Sequence, residues 1–176
     1  MLYTKTIPSP LGPLYLVSDG AAITGLWLEG QKYFAATLIG EPEEHPELPV
    51  FLEAEAWLEA YFSRSPLPAL PPLAPQGSLF RLAVWRLLLE IPYGETSTYG
   101  EITRKLRESG ISAAPQAVGG AVGHNPISIL IPCHRVVGTN GSLTGYAGGI
   151  EKKQFLLELE GIDLTSLCVP KKGTAL

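Results

Sequence analysis

The residues best suited to chemistry in this 176-residue chain lie together in residues 131–135, which read IPCHR. A cysteine attacks carbon as the thiolate, and a neighbouring imidazole that accepts the thiol proton is a common way to form one near neutral pH. Cys133 and His134 supply these two groups. Because Pro132 lacks an amide hydrogen and has a fixed φ, we expect it to stiffen the turn and residues 128–131 to be extended. The segment predicts a nucleophile that is held in place.

A nucleophile and its base need a third group that orients the imidazole. Glu160, at the end of the last predicted helix, is one candidate, and Asn125 is a second residue able to brace the loop. The alternative interpretation is structural: Cys133 is then a small buried hydrophobe, His134 a surface histidine and Glu160 a solvated helix end. These residues alone leave both interpretations open.

The composition indicates a globular protein with its own core. Hydrophobic residues make up 45% of the chain, which suffices for one sizeable core or two small ones without disulfides or metals. The two cysteines, Cys133 and Cys168, argue against a disulfide framework and favour a reducing compartment. The N-terminus has no signal-peptide pattern, and no apolar run approaches the roughly 18 residues of a membrane span. We therefore expect a cytoplasmic protein without membrane association.

The net charge of −4 conceals a difference between the two halves. Residues 1–78 hold three basic and nine acidic side chains, whereas residues 79–176 hold ten basic and eight acidic ones. Phosphate contacts are usually supplied by an excess of Lys and Arg. The asymmetry permits a nucleic-acid surface on the second half only.

Five prolines within residues 64–78 interrupt any helix or central strand and indicate a boundary between two domains. Before this boundary, the pattern predicts an antiparallel meander of three short strands, residues 3–7, 14–18 and 23–29. Apolar residues at helical spacing over residues 51–62 predict a helix that covers one face of the sheet. The predicted fold class is α+β, in which this small sheet is followed by a mostly helical domain with a winged helix-turn-helix-like motif.

Helical patterns dominate the second half. Residues 79–91 are too densely apolar for a surface helix and predict a buried one. Residues 98–101, TYGE, have the spacing of a capping box, so a short helix is expected to run to about Glu108. Pro115 opens another helical segment over residues 116–123, and two short helices joined by a tight turn form a helix-turn-helix candidate.

Two further elements follow the cysteine segment. The dipeptide Asn140-Gly141 predicts a hairpin turn. Residues 151–160 predict a terminal helix with three inward-facing side chains, Phe155, Leu156 and Leu159.

The helix over residues 116–123 is unusually poor in large side chains. Gly119 and Gly120 each cost a helix about 1 kcal/mol relative to alanine, so some other interaction must offset this. One interpretation is close approach to a narrow surface such as a DNA minor groove, and the other is tight helix-helix packing in the core. Without further context, packing is the preferred interpretation.

Four strings of the second half resemble the O6-alkylguanine-DNA alkyltransferase family, also called methylated-DNA-protein-cysteine methyltransferases: AVGGA at 117–121, GHNP at 123–126, IPCHRV at 131–136 and TGYAGG at 144–149. The resemblance covers residues 79–161 densely and the first half by layout only. PCHR with these flanks is a specific signal and favours the functional interpretation of Cys133 and His134. The resemblance implies a ribonuclease H-like domain at 1–75, a DNA-binding and alkyl-transfer domain at 76–167 and a tail at 168–176.

The resemblance also implies an activity, which is repair of double-stranded DNA containing O6-alkylguanine. Proteins of this family place a helix-turn-helix in the minor groove and rotate the damaged base out of the stack, which reverses the preference for packing at the glycines. Cys133 would take the alkyl group irreversibly, so each molecule reacts once. His134 would draw the thiol proton through a water, and Glu160 would stabilise the imidazolium. The expected protein is a monomer that needs no cofactor.

The resemblance assigns further residues by their positions in these strings. Asn125 would hold the turn beneath the site, and Tyr99 would donate to the guanine ring nitrogen as the base leaves. The guanine pocket is expected to be lined by Tyr146, Ala147, Val136, Val122 and Thr144. The DNA contact is expected from Thr98, Tyr99, Gln116, Ala117, Gly119, Gly120, Gly123 and Arg135, of which the last either secures the loop or pairs with a phosphate.

One position departs from the family pattern. The family usually has an arginine at the start of the second helix, where it fills the space left by the rotated base, and this chain has Gln116. Glutamine brings no positive charge and no planar cation that stacks. We therefore expect weaker or slower engagement of duplex DNA, with the transfer step intact.

Two other function classes are compatible with the sequence. A cysteine hydrolase using Cys133, His134 and Glu160 is the first, although adjacent Cys and His are atypical of that class. A lesion-binding, alkyltransferase-like protein with weak transfer is the second, which Gln116 favours and the presence of Cys133 opposes. The histidines and cysteines show no C-x-x-C or H-x-x-x-H spacing, so no metal site is expected.

Overall fold

The computed structural model describes residues 1–169, and the chain divides into two compact units. The first unit comprises Met1–Gln76 and Pro126–Leu130, and the second comprises Gly77–Asn125 and Ile131–Leu176. Most of the predicted tail at 168–176 lies outside the described residues. Within residues 1–169, no helix has the length and apolar character needed to cross a bilayer.

The first unit is built on a four-stranded sheet. Its strands β1 (Tyr3–Ile7), β2 (Leu14–Ser18) and β3 (Ile23–Leu28) form the predicted antiparallel meander, and β4 (Glu43–Glu44) pairs with β1 in parallel. The strand order is β3-β2-β1-β4. The turn between β2 and β3 is closed by Asp19, whose carboxylate accepts from the amides of Ala21 and Ala22.

Helix α1 (Pro49–Phe62) covers the sheet, as the helical spacing predicts. Proline at its first position needs no amide partner and starts the helix with the right φ. One face of α1 packs on β2 and β3 and buries Val50, Phe51, Ala54, Trp57, Leu58 and Tyr61. Each large side chain removed from water contributes on the order of 2 kcal/mol, so this face supplies much of the stability of the first unit.

Helix α2 (Leu79–Leu89) begins the second unit and is only half-buried. Val84, Trp85 and Leu88 form its buried face, whereas Leu79 is 87% exposed. The prediction of a buried helix therefore holds for one face only. An apolar sequence alone does not ensure that every face of a helix packs against other residues. The face of α2 opposite Val84, Trp85 and Leu88 is not covered by other described residues.

The two helices of the helix-turn-helix candidate form as predicted. Helix α3 (Tyr99–Glu108) starts with a complete capping box, in which the Thr98 hydroxyl accepts from the Glu101 amide and the Glu101 carboxylate accepts from the Thr98 amide. Helix α4 (Pro115–Gly123) packs on α2 and α3. The Trp85 indole donates to the Ala121 carbonyl at 2.8 Å, which fixes α4 against α2.

After α4 the chain of the second unit forms a 3-10 turn at Cys133–Arg135 and strand β6 (Val136–Val137), which pairs in parallel with β5 (Ser97–Thr98). The predicted hairpin at Asn140-Gly141 is wrong in one respect. A turn does form, since the Gly138 amide donates to the Ser142 carbonyl and Gly141 has φ +79°. However, β6 takes β5 as its partner, so the turn joins no antiparallel strand pair.

Helix α5 (Ile150–Leu159) has Glu160 as its C-cap and is followed in the second unit by a 3-10 turn at Leu164–Ser166. Its predicted inward face is partly wrong, because Phe155 is exposed and Leu159 only partly buried. The buried positions are Lys153, Leu156, Leu157 and Glu160. These positions recur at three- and four-residue spacing, so the face of α5 that points inward carries a cation and an anion as well as leucines.

Candidate active site around Cys133

The loop that delivers Cys133 contains two consecutive tight turns. The Leu130 amide donates to the Ser128 carbonyl across Ile129, which has φ +70°. The Cys133 amide donates to the Ile131 carbonyl across Pro132, which has φ −81° and ψ 64°. Both bonds have the i to i+2 pattern of γ-turns, of which the one with positive central φ is rare and strained.

The expectation that residues 128–131 are extended is therefore wrong. Pro132 restricts only the residue immediately before it, so it places no constraint on Ile129. Ile127 to Leu130 are almost fully buried, and their packing, rather than the proline, sets the path of the chain. The proline does stiffen the second turn, as expected.

Cys133 is buried, with 5% of its surface exposed. Burial raises the pKa of the Cys133 thiol, since a thiolate loses hydration there, and a hydrogen bond from Asn125 and the charge of Lys153 act in the opposite direction. The resting thiol is thus protonated and unreactive at neutral pH. A proton acceptor is required at the moment of reaction.

His134 and Glu160 form a buried pair. His134 Nε2 lies 2.7 Å from Glu160 Oε1, and neither side chain is exposed. Burial lowers the pKa of His134 despite the opposing effect of Glu160, which favours the neutral imidazole. When Nε2 carries the proton donated to Glu160, the lone pair of the neutral ring lies on Nδ1. The histidine is therefore prepared as a proton acceptor.

Arg135 completes this pair and corrects one expectation. Its Nε donates to Glu160 Oε2 at 2.9 Å, and its Nη1 donates to the Ile91 carbonyl at 2.7 Å. Burial alone would raise the pKa of Glu160, but the hydrogen bonds from His134 and Arg135 lower it to about 2. Because this guanidinium is buried and engaged, Arg135 secures the loop, and a phosphate contact is wrong for it.

Asn125 lies where it can brace the loop. Its Nδ2 donates to the Ile131 carbonyl at 2.8 Å, across the segment that leads to the cysteine. The same side chain hydrogen-bonds Cys133. Asn125 thus contacts both the backbone that presents the sulfur and the sulfur itself.

Lys153 is a site residue that the sequence reasoning missed. It is fully buried, and its Nζ donates to the carbonyls of Val136 and Thr144. Burial lowers its pKa to about 8, whereas the charge of the Cys133 thiolate would raise it. A signal was present, since Lys153 shares the α5 face with Leu156, Leu157 and Glu160 at helical spacing, but lysine is normally assigned to the solvent side.

The Thr144 carbonyl, to which Lys153 donates, also accepts from Tyr99. The Tyr99 hydroxyl donates to the Thr144 carbonyl at 2.8 Å, and burial raises the pKa of Tyr99 to about 12. Tyr146 is 6% exposed, and its hydroxyl has no hydrogen-bond partner among residues 1–169. Burial raises the pKa of Tyr146 as well, and the negative charge of a Cys133 thiolate would raise the pKa of both tyrosines further. Of the other residues predicted here, Val136 and Val122 are buried and Ala147 is half-buried.

The glycines of α4 face open space. A Cβ atom added at Gly119 or Gly120 would meet nothing within 4 Å, and one at Gly123 would meet only the Gly145 carbonyl at 3.9 Å. Packing within residues 1–169 therefore does not require these glycines, and the preference for core packing is wrong. Gln116 and Ala117 are exposed on the same helix, while Val118, Ala121 and Val122 face inward. Thr98 is half-buried in its capping box.

No group of three or more His, Cys, Asp or Glu side chains within residues 1–169 is arranged to hold a metal ion. The side chains of the site itself offer several chemical groups. They are a thiol, a neutral imidazole braced by a carboxylate, a buried ammonium group and two phenols.

Comparison with known proteins gives consistent matches over nearly the whole chain. A model of the ribonuclease-like domain of 6-O-methylguanine DNA methyltransferase matches residues 2–74, and a model of its DNA-binding domain matches residues 79–162. The methylated-DNA-protein-cysteine methyltransferase of Haemophilus influenzae is 45% identical over 164 residues, which cover 92% of this chain and 87% of that protein. That of Methanosarcina acetivorans is 44% identical, over 91% of this chain and 99% of that protein.

Among solved structures, Mycobacterium tuberculosis OGT in complex with DNA superimposes with a TM-score of 0.80 and 41% sequence identity, covering 94% of each chain. The O6-methylguanine-DNA methyltransferase of the archaeon Pyrococcus kodakaraensis has a TM-score of 0.60 and 25% identity, covering 92% of this chain. The structural similarity thus covers more than nine-tenths of the chain in both cases.

Proposed function

The chain belongs to the 6-O-methylguanine DNA methyltransferase family, and from that premise we propose that it transfers the alkyl group of O6-alkylguanine in double-stranded DNA to its own Cys133. The activity is a DNA-repair methyltransferase reaction of the methylated-DNA-protein-cysteine class. The observation that carries the assignment of the residue is the buried thiol beside a histidine that is 2.7 Å from a buried carboxylate.

In the proposed reaction the sulfur of Cys133 attacks the alkyl carbon opposite the guanine oxygen. His134 first accepts the thiol proton through a water, and Glu160 stabilises the imidazolium that results. The new S–C bond forms as the C–O6 bond breaks, and the electron pair of that bond stays on the guanine. Tyr99 is suited to donate a hydrogen bond to the departing base, because a pKa of about 12 keeps its hydroxyl protonated.

The thiolate that forms during the reaction is supported by two neighbours. Asn125 donates a hydrogen bond to it, and the Lys153 ammonium supplies a nearby positive charge. A buried charge of this kind acts in a low-dielectric environment, where its effect on the sulfur exceeds the effect in water. The thiol is thus protonated at rest and yet ionisable during transfer.

The product explains why the reaction is stoichiometric. A thioether on Cys133 has no leaving group comparable to that of a thioester, so water does not regenerate the thiol. Each molecule is expected to repair one lesion.

Helix α4 is the proposed DNA-contacting element. Its open glycine surface at Gly119 and Gly120 leaves room for a phosphate-sugar backbone to approach closely, as minor-groove binding requires. A base must leave the stack before its O6 atom reaches a buried thiol, since that atom is inaccessible to a side chain within the duplex. Gln116, exposed at the start of α4, would occupy the space of the rotated base, with no charge to assist it.

We also propose that the chain acts as a cytoplasmic monomer. Its proposed domains are a ribonuclease H-like domain at 1–75 and a DNA-binding and alkyl-transfer domain at 76–167, followed by a tail at 168–176. The guanine pocket proposed for it is lined by Tyr146, Ala147, Val136, Val122 and Thr144. The direct DNA contacts proposed are Gln116, Ala117, Gly119, Gly120, Gly123, Thr98 and Tyr99.

The experiment that tests the function is incubation with duplex DNA that carries O6-methylguanine, followed by mass analysis of the peptides. We expect methylation of the Cys133 peptide, no methylation of Cys168, and none after Cys133→Ala. Methyl on Cys168 alone, or repaired DNA beside unmodified protein, contradicts the proposal. Turnover of ester or amide substrates would instead favour the cysteine hydrolase, and tight lesion binding without transfer would favour the lesion-binding class.

A further inference from the structure

Gln31 lies three residues after the end of β3 in the first unit and is 7% exposed. Its side-chain oxygen accepts from the Leu28 amide at 2.7 Å and from the Ser128 hydroxyl at 3.2 Å. Its side-chain nitrogen donates to the Lys32 carbonyl at 3.3 Å. The Gln31 side chain is held in one position, because its oxygen and its nitrogen are both hydrogen-bonded. Breaking any of these bonds would leave a buried polar group without a partner.

Ser128, the partner of Gln31, belongs to residues 126–130, which are part of the first unit. The Leu26 amide donates to the Pro126 carbonyl at 2.9 Å, and the Ser128 amide donates to the Leu26 carbonyl at 2.9 Å. This segment therefore lies beside β3 like a short parallel strand. The bond between Ser128 and Gln31 adds a side-chain contact at the last residue before the chain turns.

The turn that follows is the strained one. Ile129 is β-branched and has φ +70°, a conformation that such residues adopt only when their surroundings hold them there. By chain connectivity, residues 126–130 are preceded by Asn125 and followed by the turn that carries Cys133. The two groups that must meet for the thiolate to be stabilised are thus the Asn125 amide, which immediately precedes this segment, and the sulfur of Cys133, three residues after its end.

We propose that Gln31 is a positioning residue for Cys133: with Ser128 it holds residues 126–130 in the conformation that presents the sulfur to Asn125. The proposal rests on the proposed function of Cys133 as the alkyl acceptor. Without the Gln31 contact, Ile129 is free to relax toward negative φ, and this changes the direction in which the chain enters the cysteine turn. The sulfur then moves relative to Asn125, and its thiolate is less well stabilised.

The test compares Ser128→Ala, which removes one hydroxyl, with Gln31→Met, which keeps the length of the side chain but removes its polar atoms. Two rates are measured: methyl transfer from duplex DNA carrying O6-methylguanine, and alkylation of Cys133 by iodoacetamide as a function of pH. Cys168 is exposed, so its alkylation in the same sample serves as an internal control for the reactivity of iodoacetamide. We expect both variants to transfer methyl about tenfold more slowly, as a misplaced reacting group does, and the pH midpoint of the Cys133 reaction to rise.

The matched control is Ser18→Ala. Ser18 is a fully buried serine of the same unit, at the last position of β2, and its hydroxyl donates to the Ala22 carbonyl at 2.7 Å. We expect this variant to keep the wild-type rate and pH midpoint even where its melting temperature falls as far as that of Ser128→Ala. Ser128→Thr, which restores a hydroxyl, is expected to recover most of the rate.

Unchanged rates and midpoints in Ser128→Ala and Gln31→Met overturn the proposal, as does an equal slowing in Ser18→Ala. Failure of the proposed function is distinguishable from these outcomes. In that case the wild-type chain takes no methyl from DNA, and the iodoacetamide profiles still decide whether Gln31 positions the sulfur.

Discussion

His134 Nε2 lies 2.7 Å from Glu160 Oε1 in a site where neither side chain is exposed, and Arg135 binds the same carboxylate. The carboxylate is ionised, since its pKa is lowered to about 2, and burial keeps the imidazole neutral. The neutral imidazole of His134, held by Glu160, is therefore available as a proton acceptor for the neighbouring Cys133. Loss of the carboxylate removes two functions at once, the support of the imidazolium and the partner of a buried guanidinium.

The first prediction concerns Glu160→Gln. The variant leaves the Arg135 guanidinium buried without its counter-charge, and breaking a buried ion pair in this way costs about 3–5 kcal/mol. We expect a loss of that size in the free energy of unfolding, measured by urea titration, together with slower methyl transfer. Glu158→Gln is the matched control, because Glu158 is an exposed glutamate of the same helix. A loss of similar size in the control argues against the pair as the cause.

The second prediction is a pH dependence of stability. The folded-state pKa of His134 lies below its unfolded value, so between these values the unfolded chain binds the extra proton. The stability that results is present above the unfolded pKa of about 6.5 and is lost as the pH falls toward the folded pKa. Urea titrations from pH 8 downward should show this loss starting near that value, and His134→Gln should remove part of the slope. An unchanged slope in the variant contradicts the prediction.

The third prediction concerns the buried ammonium group of Lys153. Lys153→Met removes the nearby positive charge, so the thiolate of Cys133 becomes harder to form and its pKa rises further. The pH midpoint for alkylation of Cys133 by iodoacetamide should therefore move upward. Lys152→Met removes a half-buried lysine from the same helix and is expected to leave the midpoint in place. Equal midpoints in Lys153→Met and the wild type exclude this electrostatic role.

The fourth prediction separates folding from DNA binding at Gly120. Alanine fits the open space there and improves helix propensity by up to about 1 kcal/mol, so Gly120→Ala should increase the free energy of unfolding. The added methyl group stands where the DNA backbone is proposed to approach, so duplex affinity should fall. Chemical denaturation and a DNA-binding titration measure the two effects. A variant that gains stability and keeps full affinity shows that α4 does not approach DNA closely.

The fifth prediction concerns Gln116. Gln116→Arg restores a planar cation at the start of α4, and we expect higher duplex affinity, faster repair and a steeper salt dependence. Gln154→Arg adds the same charge on α5 and serves as the control for a general electrostatic gain. No gain in affinity or repair rate in Gln116→Arg rejects the idea that glutamine limits DNA engagement.

The sequence-based predictions that succeeded rest on residues close together in the sequence. The capping box of Thr98 and Glu101 involves residues three apart, so its hydrogen bonds were readable without any tertiary information. The same holds for the meander, whose turns are set by short polar segments. The cysteine-histidine pair was also local, and Glu160 was a candidate from its place at the end of the last predicted helix, to which the family resemblance added its role.

The predictions that failed concern features set by tertiary packing. The burial of Lys153 and Arg135 depends on carbonyls and a carboxylate supplied by distant segments, and no charge pattern in the sequence reports them. The positive φ of Ile129 is likewise imposed by the segment's neighbours against the residue's own preference. The open space at Gly119 and Gly120 could be found only from coordinates, because glycine serves packing and close approach equally well in a sequence.

The stoichiometry of transfer is the most direct test of Cys133 as an alkyl acceptor that reacts once. A limiting amount of protein is incubated to completion with excess duplex DNA carrying O6-methylguanine, and repaired lesions and methylated Cys133 peptide are counted in the same sample. We expect one repaired lesion and one methylated Cys133 for each protein molecule, with no further repair on longer incubation. Repair that exceeds the protein present, or that leaves Cys133 unmodified, contradicts this expectation.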